Sequence, residues 1–138
     1  MAFVLDCSVT RAWVFPDEAN ESTDRLRDSL IEGSAFVPSL WPVEVGNVLL
    51  VATRRGRITR NDWHRIHANL GSLPIEIDPV STTRVWGVAL ELAAEHRLSV
   101  YDAMYLELAM RLQLPLATLD SALGAAGRSE GLAVPTRT

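Results

Sequence analysis

Four carboxylates stand at positions from which they can meet, although they are far apart in the chain. Asp6 and Asp120 each follow a short apolar run, and Glu44 and Asp102 each fall in the first turn of a predicted helix. Oxygen-only ligands of this kind suit Mg²⁺, or Mn²⁺, better than Zn²⁺. The chemistry that such a set supports is in-line attack of metal-activated water on a phosphodiester. We therefore take Asp6, Glu44, Asp102 and Asp120 as candidate catalytic and metal-binding residues.

Each carboxylate also has a purely structural interpretation. Asp6 and Asp120 can cap the helices that follow them. Glu44 can interact favourably with the positive, N-terminal end of the dipole of its own helix. Ser99 and Asp102 form a shortened capping box, S-x-x-D. For any single acid the capping interpretation is favoured, whereas four acids at corresponding ends of strands favour a shared site. The direction of the Asp102 side chain distinguishes the capping interpretation from the metal-site interpretation. A capping Asp102 folds back to the amide of Ser99, whereas a metal-binding Asp102 points toward Asp6.

The elements that must position these acids alternate along the chain. Apolar runs predict four strands and a fifth, shorter one: Ala2–Leu5, Ala35–Val37, Leu73–Ile77, Pro115–Thr118 and Leu132–Val134. Pro74 places the third of them at a sheet edge. Strands that alternate with helices predict an α/β fold, a three-layer α/β/α sandwich with a mostly parallel central sheet of four to five strands. We expect one domain over residues 1–138.

Cap residues and helix breakers divide the segments between the strands into helices. Ser8 is a candidate cap for the first helix, and Thr59 with Asp62 forms a capping box for the fourth. The predicted helices run from Ser8 to Trp13, Asp17 to Ile31, Ser39 to Arg55, Thr59 to Leu70, Ser81 to His96, onward from Ser99, and from Ser121 to Ala126 with Gly127 as the stop.

Sites in parallel sheets form beyond the carboxyl ends of the strands. If the first and fourth strands are neighbours, all four acids gather at one edge. Their repulsion would then raise their pKa values unless a cation compensates. Ser8, Asn47 and Thr118 lie near these acids in the sequence and are candidates to orient the carboxylates or the metal-bound water. Asp78 also follows a strand, but Pro79 makes it a natural turn residue, so we leave it out of the site.

Composition excludes several other functions. The net charge is −4, and all 13 basic residues are arginine. Without lysine there is no G-K-[ST] phosphate loop and no Schiff-base lysine, and the chain has no G-x-G-x-x-G. The single cysteine, Cys7, excludes an internal disulfide and fits a reducing compartment. The start of the chain does not look like a signal peptide and no apolar run is long enough to span a membrane, so we expect a cytoplasmic protein.

Four motifs resemble the PIN-domain nucleases, and specifically the VapC-type ribonuclease toxins of toxin–antitoxin pairs. They are Asp6-x-Ser8, Glu44-Val45-x-Asn47-Val48-Leu49, Ser99-x-Tyr101-Asp102-Ala103-x-Tyr105-Leu106-x-Leu108-Ala109 and Ala117-Thr118-x-Asp120-x-x-Leu123. The resemblance implies a Mg²⁺-dependent endoribonuclease with an acidic set of Asp6, Glu44, Asp102 and Asp120. It also implies a homodimer and a VapB-type antitoxin that occludes the site. The alternative is a non-catalytic PIN-like module whose acidic cleft binds a structural Mg²⁺ or a partner protein.

Three further groups of residues have two interpretations each. The arginines at positions 54, 55, 57 and 60 can bind RNA phosphates or match the negative end of a helix dipole. His64 and His67 have a metal-binding spacing but no third ligand, and His96 is expected at a helix C-terminus. Core or dimer contacts are favoured over base stacking for four aromatic residues, some of which could line a groove for an antitoxin helix: Trp13, Phe15, Trp41 and Trp86.

Overall fold

A single sheet of four parallel strands forms the centre of the molecule. The computed structural model describes residues 1–136; residues 137 and 138 of the predicted domain lie outside the described part. The strands are β1 (Ala2–Leu5), β2 (Ser34–Val37), β3 (Ile75–Ile77) and β4 (Leu116–Ala117). Their spatial order is β3-β2-β1-β4, and every pairing is parallel. The predicted α/β fold with a parallel central sheet is therefore confirmed, with Ile75–Ile77 at one edge as Pro74 predicts.

Helices form the crossover connections that parallel strands require. The α-helices are α1 (Cys7–Val14), α2 (Glu21–Ser29), α3 (Trp41–Arg54), α4 (Arg60–Gly71), α5 (Leu90–His96), α6 (Val100–Leu112) and α7 (Ser121–Ser129). Within residues 1–136, no helix is long and apolar enough to cross a membrane.

The direction of the crossovers changes at β1. The chain moves outward from β1 to β2 and β3, and then returns to place β4 on the other side of β1. Such a reversal leaves a crevice beyond the carboxyl ends of the two strands that flank it, which is where ligands bind in open α/β sheets. Val4 pairs with Leu116 and Leu5 with Ala117, so the residues that follow these strands come out side by side at that crevice.

Helix α6 is the most deeply buried helix of the fold. Residues 103 to 109 are all buried, because all of them except Glu107 are apolar or aromatic and pack against the sheet and neighbouring helices. Its start is fixed by Ser99, whose Oγ accepts the backbone N–H of Asp102 at 3.1 Å. Near its end, Arg111 donates to both oxygens of Asp78 (3.1 and 2.9 Å) and also pairs with the buried Glu107 at 2.9 Å. This network ties α6 to the chain that leaves β3.

Two predicted elements begin or end differently for local reasons. The segment predicted as a helix from Asp17 to Ile31 is a 3-10 turn, Pro16–Glu18, followed by α2. Helix α2 starts later because Asn20 and Thr23 form a reciprocal capping box. The helix predicted to stop at Gly127 continues to Ser129. Gly127 therefore lies inside the helix, at a point of close packing where a Cβ would lie 3.2 Å from the Leu116 side chain.

Two other predictions need correction. The expected helix from Ser81 to His96 has three geometries: a 3-10 turn (Ser81–Arg84), a π-helical turn (Val85–Ala89) and α5. Threonine, β-branched valine and Gly87 are poor helix formers in this stretch. Leu132–Val134, predicted as a fifth strand, forms no strand; its link to the sheet is one hydrogen bond from Leu116 N–H to the Ala133 carbonyl, because β4 spans only two residues.

Two glycines make a matched test of this packing. A Cβ on Gly33 would lie 2.0 Å from the carbonyl oxygen of Met1, beside the start of the β1–β2 pairing, whereas a Cβ on Gly46 in α3 meets nothing within 4 Å. We expect Gly33→Ala to lower the free energy of unfolding by about 1–3 kcal/mol through overpacking. Gly46→Ala should raise it by about 0.5–1 kcal/mol, because alanine favours the helix. Urea unfolding of both variants checks this, and shifts of the same sign would contradict it.

Candidate functional site

The four predicted carboxylates line one open cleft at the carboxyl edge of β1 and β4. The cleft has a volume of about 270 Å³ and is lined by Asp6, Cys7, Ser8, Arg11, Glu44, Asn47, Val48, Asp102 and Asp120. The acids reach it from the end of β1, from the first turns of α3 and α6, and from the residue before α7. The structure thus brings together residues that are up to 114 positions apart in the chain (120 − 6).

Asp6 is the buried member of the set and is held by two hydroxyl groups. It directly follows β1, so its register neighbour is Thr118, which directly follows β4. Ser8 Oγ and Thr118 Oγ1 both donate to Asp6 Oδ2 at 2.7 Å. Burial raises the pKa of Asp6, and these two hydrogen bonds act against the rise. Asp6 also occupies the N-cap position of α1, so Ser8, predicted as the cap, lies inside the helix.

The same two hydroxyls connect Asp6 to the chain on the far side of the cleft. Ser8 Oγ accepts the N–H of Leu119 at 2.8 Å, and Thr118 Oγ1 accepts the N–H of Asp120 at 3.0 Å. Each hydroxyl therefore donates to a carboxylate and accepts from the backbone, which fixes its direction. The placement of Ser8 and Thr118 fits their expected supporting role, while Asn47 lines the cleft on the exposed side of α3.

Glu44 is positioned by Tyr105, a residue of the Ser99–Ala109 motif that was not among the predicted site residues. The Tyr105 hydroxyl donates to Glu44 Oε1 at 2.5 Å, and Tyr105 is fully buried in α6. Burial raises the pKa of Glu44, the Tyr105 bond opposes this, and the charges of Asp6 and Asp102 raise it further. Burial, together with the neighbouring Glu44, also raises the pKa of Tyr105, so its proton stays available to the carboxylate. Nothing in the apolar spacing of α6 marks this hydroxyl.

Asp102 and Asp120 combine the capping and cleft interpretations. The amide of Asp102 is capped by Ser99, while its carboxylate lines the cleft. Burial, followed by the negative charges of Asp6 and Asp120, raises the pKa of Asp102 to about 6. Asp120 Oδ1 accepts the N–H of Leu123 at 2.8 Å and so caps α7, although the residue also lines the cleft.

The donor set of the cleft fits a hard divalent cation. All four acids and the neighbouring hydroxyls offer oxygen, which Mg²⁺ prefers. Burial raises the pKa of the Cys7 thiol to about 12, with smaller contributions from Glu44 and Asp6, so the thiol stays protonated and is not a metal ligand at neutral pH. The cleft therefore suits an ion bound by oxygen alone.

The spacing of the acids is a further constraint on such an ion. Over residues 1–136, three His, Cys, Asp or Glu ligand atoms come within 4.8 Å of one another only in Glu95, His96 and Glu130. No three of the four cleft acids have ligand atoms that all lie this close together. The other cluster lies at the opposite end of α7, roughly 15 Å along the helix from Asp120. There His96, the last residue of α5, contacts Glu130 at 2.9 Å.

The predicted RNA-binding arginines lie outside the acidic cleft, while an arginine that was not predicted lines it. Arg54, Arg55 and Arg60 are exposed around the α3–α4 turn, and Arg57 pairs with Asp17 and Glu18 at 2.9 Å. Arg11 lines the cleft and was missed, although it lies one helical turn beyond Ser8.

Several side chains outside the cleft also have clear roles. Asp78 is held by Arg111, consistent with its exclusion. His67 lines an apolar groove between α3 and α4. Phe15 and Trp41 are buried as expected, whereas Trp86 is 90% exposed, so a place in the core is wrong for it.

The raised pKa of Asp102 predicts a pH-dependent stability. Because the folded chain binds this proton more tightly than the unfolded one, stability falls as the pH rises from about 4 to about 6. In EDTA we expect Asp102→Asn to be more stable than the parent at neutral pH, with the gain shrinking below pH 6 and lost near pH 4. The helix dipole, which favours a charge at this position, works against the gain but is the smaller effect.

Urea unfolding across this pH range measures the difference. Glu76→Gln, a change of an exposed carboxylate on β3, is the control and should show no comparable gain. A variant at Asp102 that is no more stable than the parent at any pH would contradict the prediction.

Comparison with known proteins places this geometry in a family. The family model of the PIN domain matches residues 3–128. The chain is 30% identical to Ribonuclease VapC3 of Pyrobaculum aerophilum over 123 residues, which covers 89% of this chain and 92% of the relative. It is 34% identical to Ribonuclease VapC1 of Mycobacterium tuberculosis over 101 residues, or 73% of this chain and 74% of the relative.

A solved structure has the same fold. The crystal structure of PAE2754 from Pyrobaculum aerophilum superposes with a TM-score of 0.64 at 24% identity, covering 96% of this chain and 81% of that one. Together with the family match and the two ribonuclease relatives, this establishes that the chain belongs to the PIN-domain family, on its VapC-type ribonuclease branch.

Proposed function

We propose that this protein is a Mg²⁺-dependent endoribonuclease toxin that hydrolyses RNA phosphodiester bonds. The observation that carries the proposal is the meeting of Asp6, Glu44, Asp102 and Asp120 in one cleft at the topological switch between β1 and β4. A PIN domain with ribonuclease relatives makes RNA the substrate of choice. Mn²⁺ has the same preference for oxygen ligands and can take the place of Mg²⁺.

The residues of the cleft divide into those that would hold the ion and those that orient them. Asp6, Asp102, Asp120 and Glu44 would hold it through carboxylate oxygens. When bound, Mg²⁺ supplies the positive charge that lets the four carboxylates ionise together and that polarises the phosphodiester and the attacking water. Ser8 and Thr118 fix Asp6 Oδ2, and the buried Tyr105 fixes Glu44 Oε1, so the carboxylates do not need to be ordered when the ion binds.

We further propose that a VapB-like antitoxin neutralises the protein and that its apolar helix occupies the groove between α3 and α4. The groove has a volume of about 560 Å³ and an almost wholly apolar lining that includes Trp41, Leu49, Trp63 and Ile66. An amphipathic helix laid into an apolar groove is a common mode of peptide recognition. The homodimer, the single domain over residues 1–138 and the cytoplasmic location remain predictions.

The direct test is cleavage of total RNA by the purified chain with Mg²⁺ and with EDTA. We expect metal-dependent fragments from the parent and none from Asp102→Asn, which should keep the fold because asparagine has nearly the same shape. Glu76→Gln, on exposed β3, should cleave like the parent. Cleavage by the Asp102 variant at the parent's rate would overturn the assignment of this residue. Absence of metal-dependent fragments from any RNA would instead favour a non-catalytic module.

The Tyr105 hydroxyl predicts an effect on ion affinity. In Tyr105→Phe the ring still fills the core, but Glu44 loses its only hydroxyl donor in the described structure and its pKa rises further. Losing such an orienting contact typically costs about 10–100-fold in metal affinity or activity. Mg²⁺ titration calorimetry without RNA measures this, and Tyr101→Phe, an exposed neighbour, is the control. Equal affinities for the parent and Tyr105→Phe would mean that the hydroxyl has no such role.

A further inference from the structure

Arg11 brings a positive charge into a cleft otherwise lined by four acids. Among the cleft residues in the described part of the chain, it is the one basic side chain. Its side chain is 43% exposed, so the guanidinium is open to a ligand. An RNA strand that enters this cleft brings further negative charge, and a cation at the rim is the group best able to guide its phosphates.

One carboxylate holds this arginine and a second one. Glu18, in the 3-10 turn after α1, accepts from Arg11 Nε at 3.0 Å and from Arg11 Nη2 at 3.3 Å. Glu18 Oε2 also accepts from Arg57 Nη1 at 2.9 Å, although Arg57 lies 39 positions further along the chain. Glu18 therefore fixes two guanidinium groups at a short separation from each other.

Arg57 makes further contacts that fix the position of its side chain. Its Nη2 donates to both oxygens of Asp17 at 2.9 Å, and its guanidinium carbon lies 4.1 Å from the centre of the Phe15 ring. Phe15 is buried, so the ring is a rigid platform. Arg57 thus connects Arg11, through Glu18, to the α3–α4 turn, which also carries exposed arginines.

Both guanidinium groups keep donors for a ligand. A guanidinium carries five N–H donors in a planar fork. Arg11 uses Nε and Nη2 for Glu18, and within residues 1–136 its Nη1 makes no hydrogen bond to the protein. Phosphate oxygens are well matched to the donors that remain.

We propose that Glu18 positions Arg11 and Arg57 to bind neighbouring phosphates of the single-stranded RNA that leads out of the acidic cleft. The proposal rests on RNA being the substrate. Glu18, which is not one of the four cleft acids, thereby has a role in RNA binding. Arg57 differs from the other arginines of the α3–α4 turn because Glu18 and Asp17 hold its guanidinium group in place.

Stability alone is a poor explanation for this network. Ion pairs between partly exposed side chains contribute little to folding, because water screens them and the side chains lose freedom. Burial would raise the pKa of Glu18, but the hydrogen bonds and charges of Arg11 and Arg57 hold it below its usual value. The carboxylate is therefore charged at neutral pH and able to orient both guanidinium groups.

The test measures RNA binding in an Asp102→Asn background, so that cleavage does not interfere. A fluorescein-labelled single-stranded RNA pool of random sequence is titrated in Mg²⁺ at several KCl concentrations, and binding is followed by fluorescence anisotropy. Arg11→Gln and Arg57→Gln should each bind more weakly and each lower the slope of log affinity against log salt by about 0.7, as expected for one lost phosphate contact on a single strand. Arg128→Gln, which removes an exposed charge at the far end of α7, should leave the slope unchanged.

Glu18→Gln distinguishes positioning from simple charge. This variant makes the protein more positive, so a purely electrostatic effect would tighten RNA binding. Positioning predicts weaker binding instead, with the salt slope nearly kept because both arginines remain. Tighter binding by Glu18→Gln, or Arg11 and Arg57 variants that behave like Arg128→Gln, would overturn the inference. Cleavage of RNA by the parent is scored separately, so the proposed function can stand while this inference fails.

Discussion

The burial of carboxylates close to one another at one sheet edge is the constraint on which the rest of the site depends. Burial is the largest cause of the raised pKa values of Glu44 and Asp102. The charges of neighbouring acids raise them further, since Asp6 and Asp102 act on Glu44 and Asp6 and Asp120 act on Asp102. Such an arrangement is unfavourable in the absence of a cation, and the fold must supply enough stability elsewhere to maintain it. Neutral hydroxyls provide part of the compensation, because Ser8, Thr118 and Tyr105 donate to the acids without adding charge.

The fold positions these donors through its most buried parts. Thr118 faces Asp6 because β4 pairs with β1 in the parallel register of Leu5 with Ala117. Tyr105 reaches Glu44 because burial of the surrounding residues fixes the position of α6. The Tyr105 hydroxyl then contacts Glu44 in the first turn of α3. The pairs formed by Arg111 with Asp78 and Glu107 fix the same helix near its other end. A polar cleft is thus built on elements whose positions are set by apolar packing.

The sequence predicts much of this fold and the location of the acids, for identifiable reasons. Apolar runs such as Ala2–Leu5 are buried strands, and Thr59 with Asp62 forms the expected capping box. Asp6 stands directly after β1 and Asp120 three residues after the end of β4, so the parallel arrangement brings them to one edge. What local patterns do not contain is contact between distant residues. Tyr105 looks like any apolar position of α6, and its hydroxyl acquires a role only when Glu44, 61 positions away, lies beside it.

The incorrect and missed predictions also arise from contacts between residues that are distant in the sequence. Gly127 is predicted as a helix stop because glycine often ends helices. In the structure it lies inside α7, in close contact with Leu116, and local sequence patterns do not show such a contact. Arg11 and Glu18 are seven positions apart, and their partnership with Arg57 depends on how the turns after α1 and α3 come together. Histidine spacing drew attention to His64 and His67, whereas the histidine with two carboxylates near it is His96.

The central claim is that the cleft at β1 and β4 is a divalent-cation site, and anomalous diffraction from crystals grown with Mn²⁺ tests it most directly. Our account predicts an anomalous peak within coordination distance of Asp6 or Asp102, with Glu44 and Asp120 close enough to contact the ion directly or through water. A cleft without a peak in crystals saturated with Mn²⁺, or a peak confined to Glu95, His96 and Glu130, would contradict it.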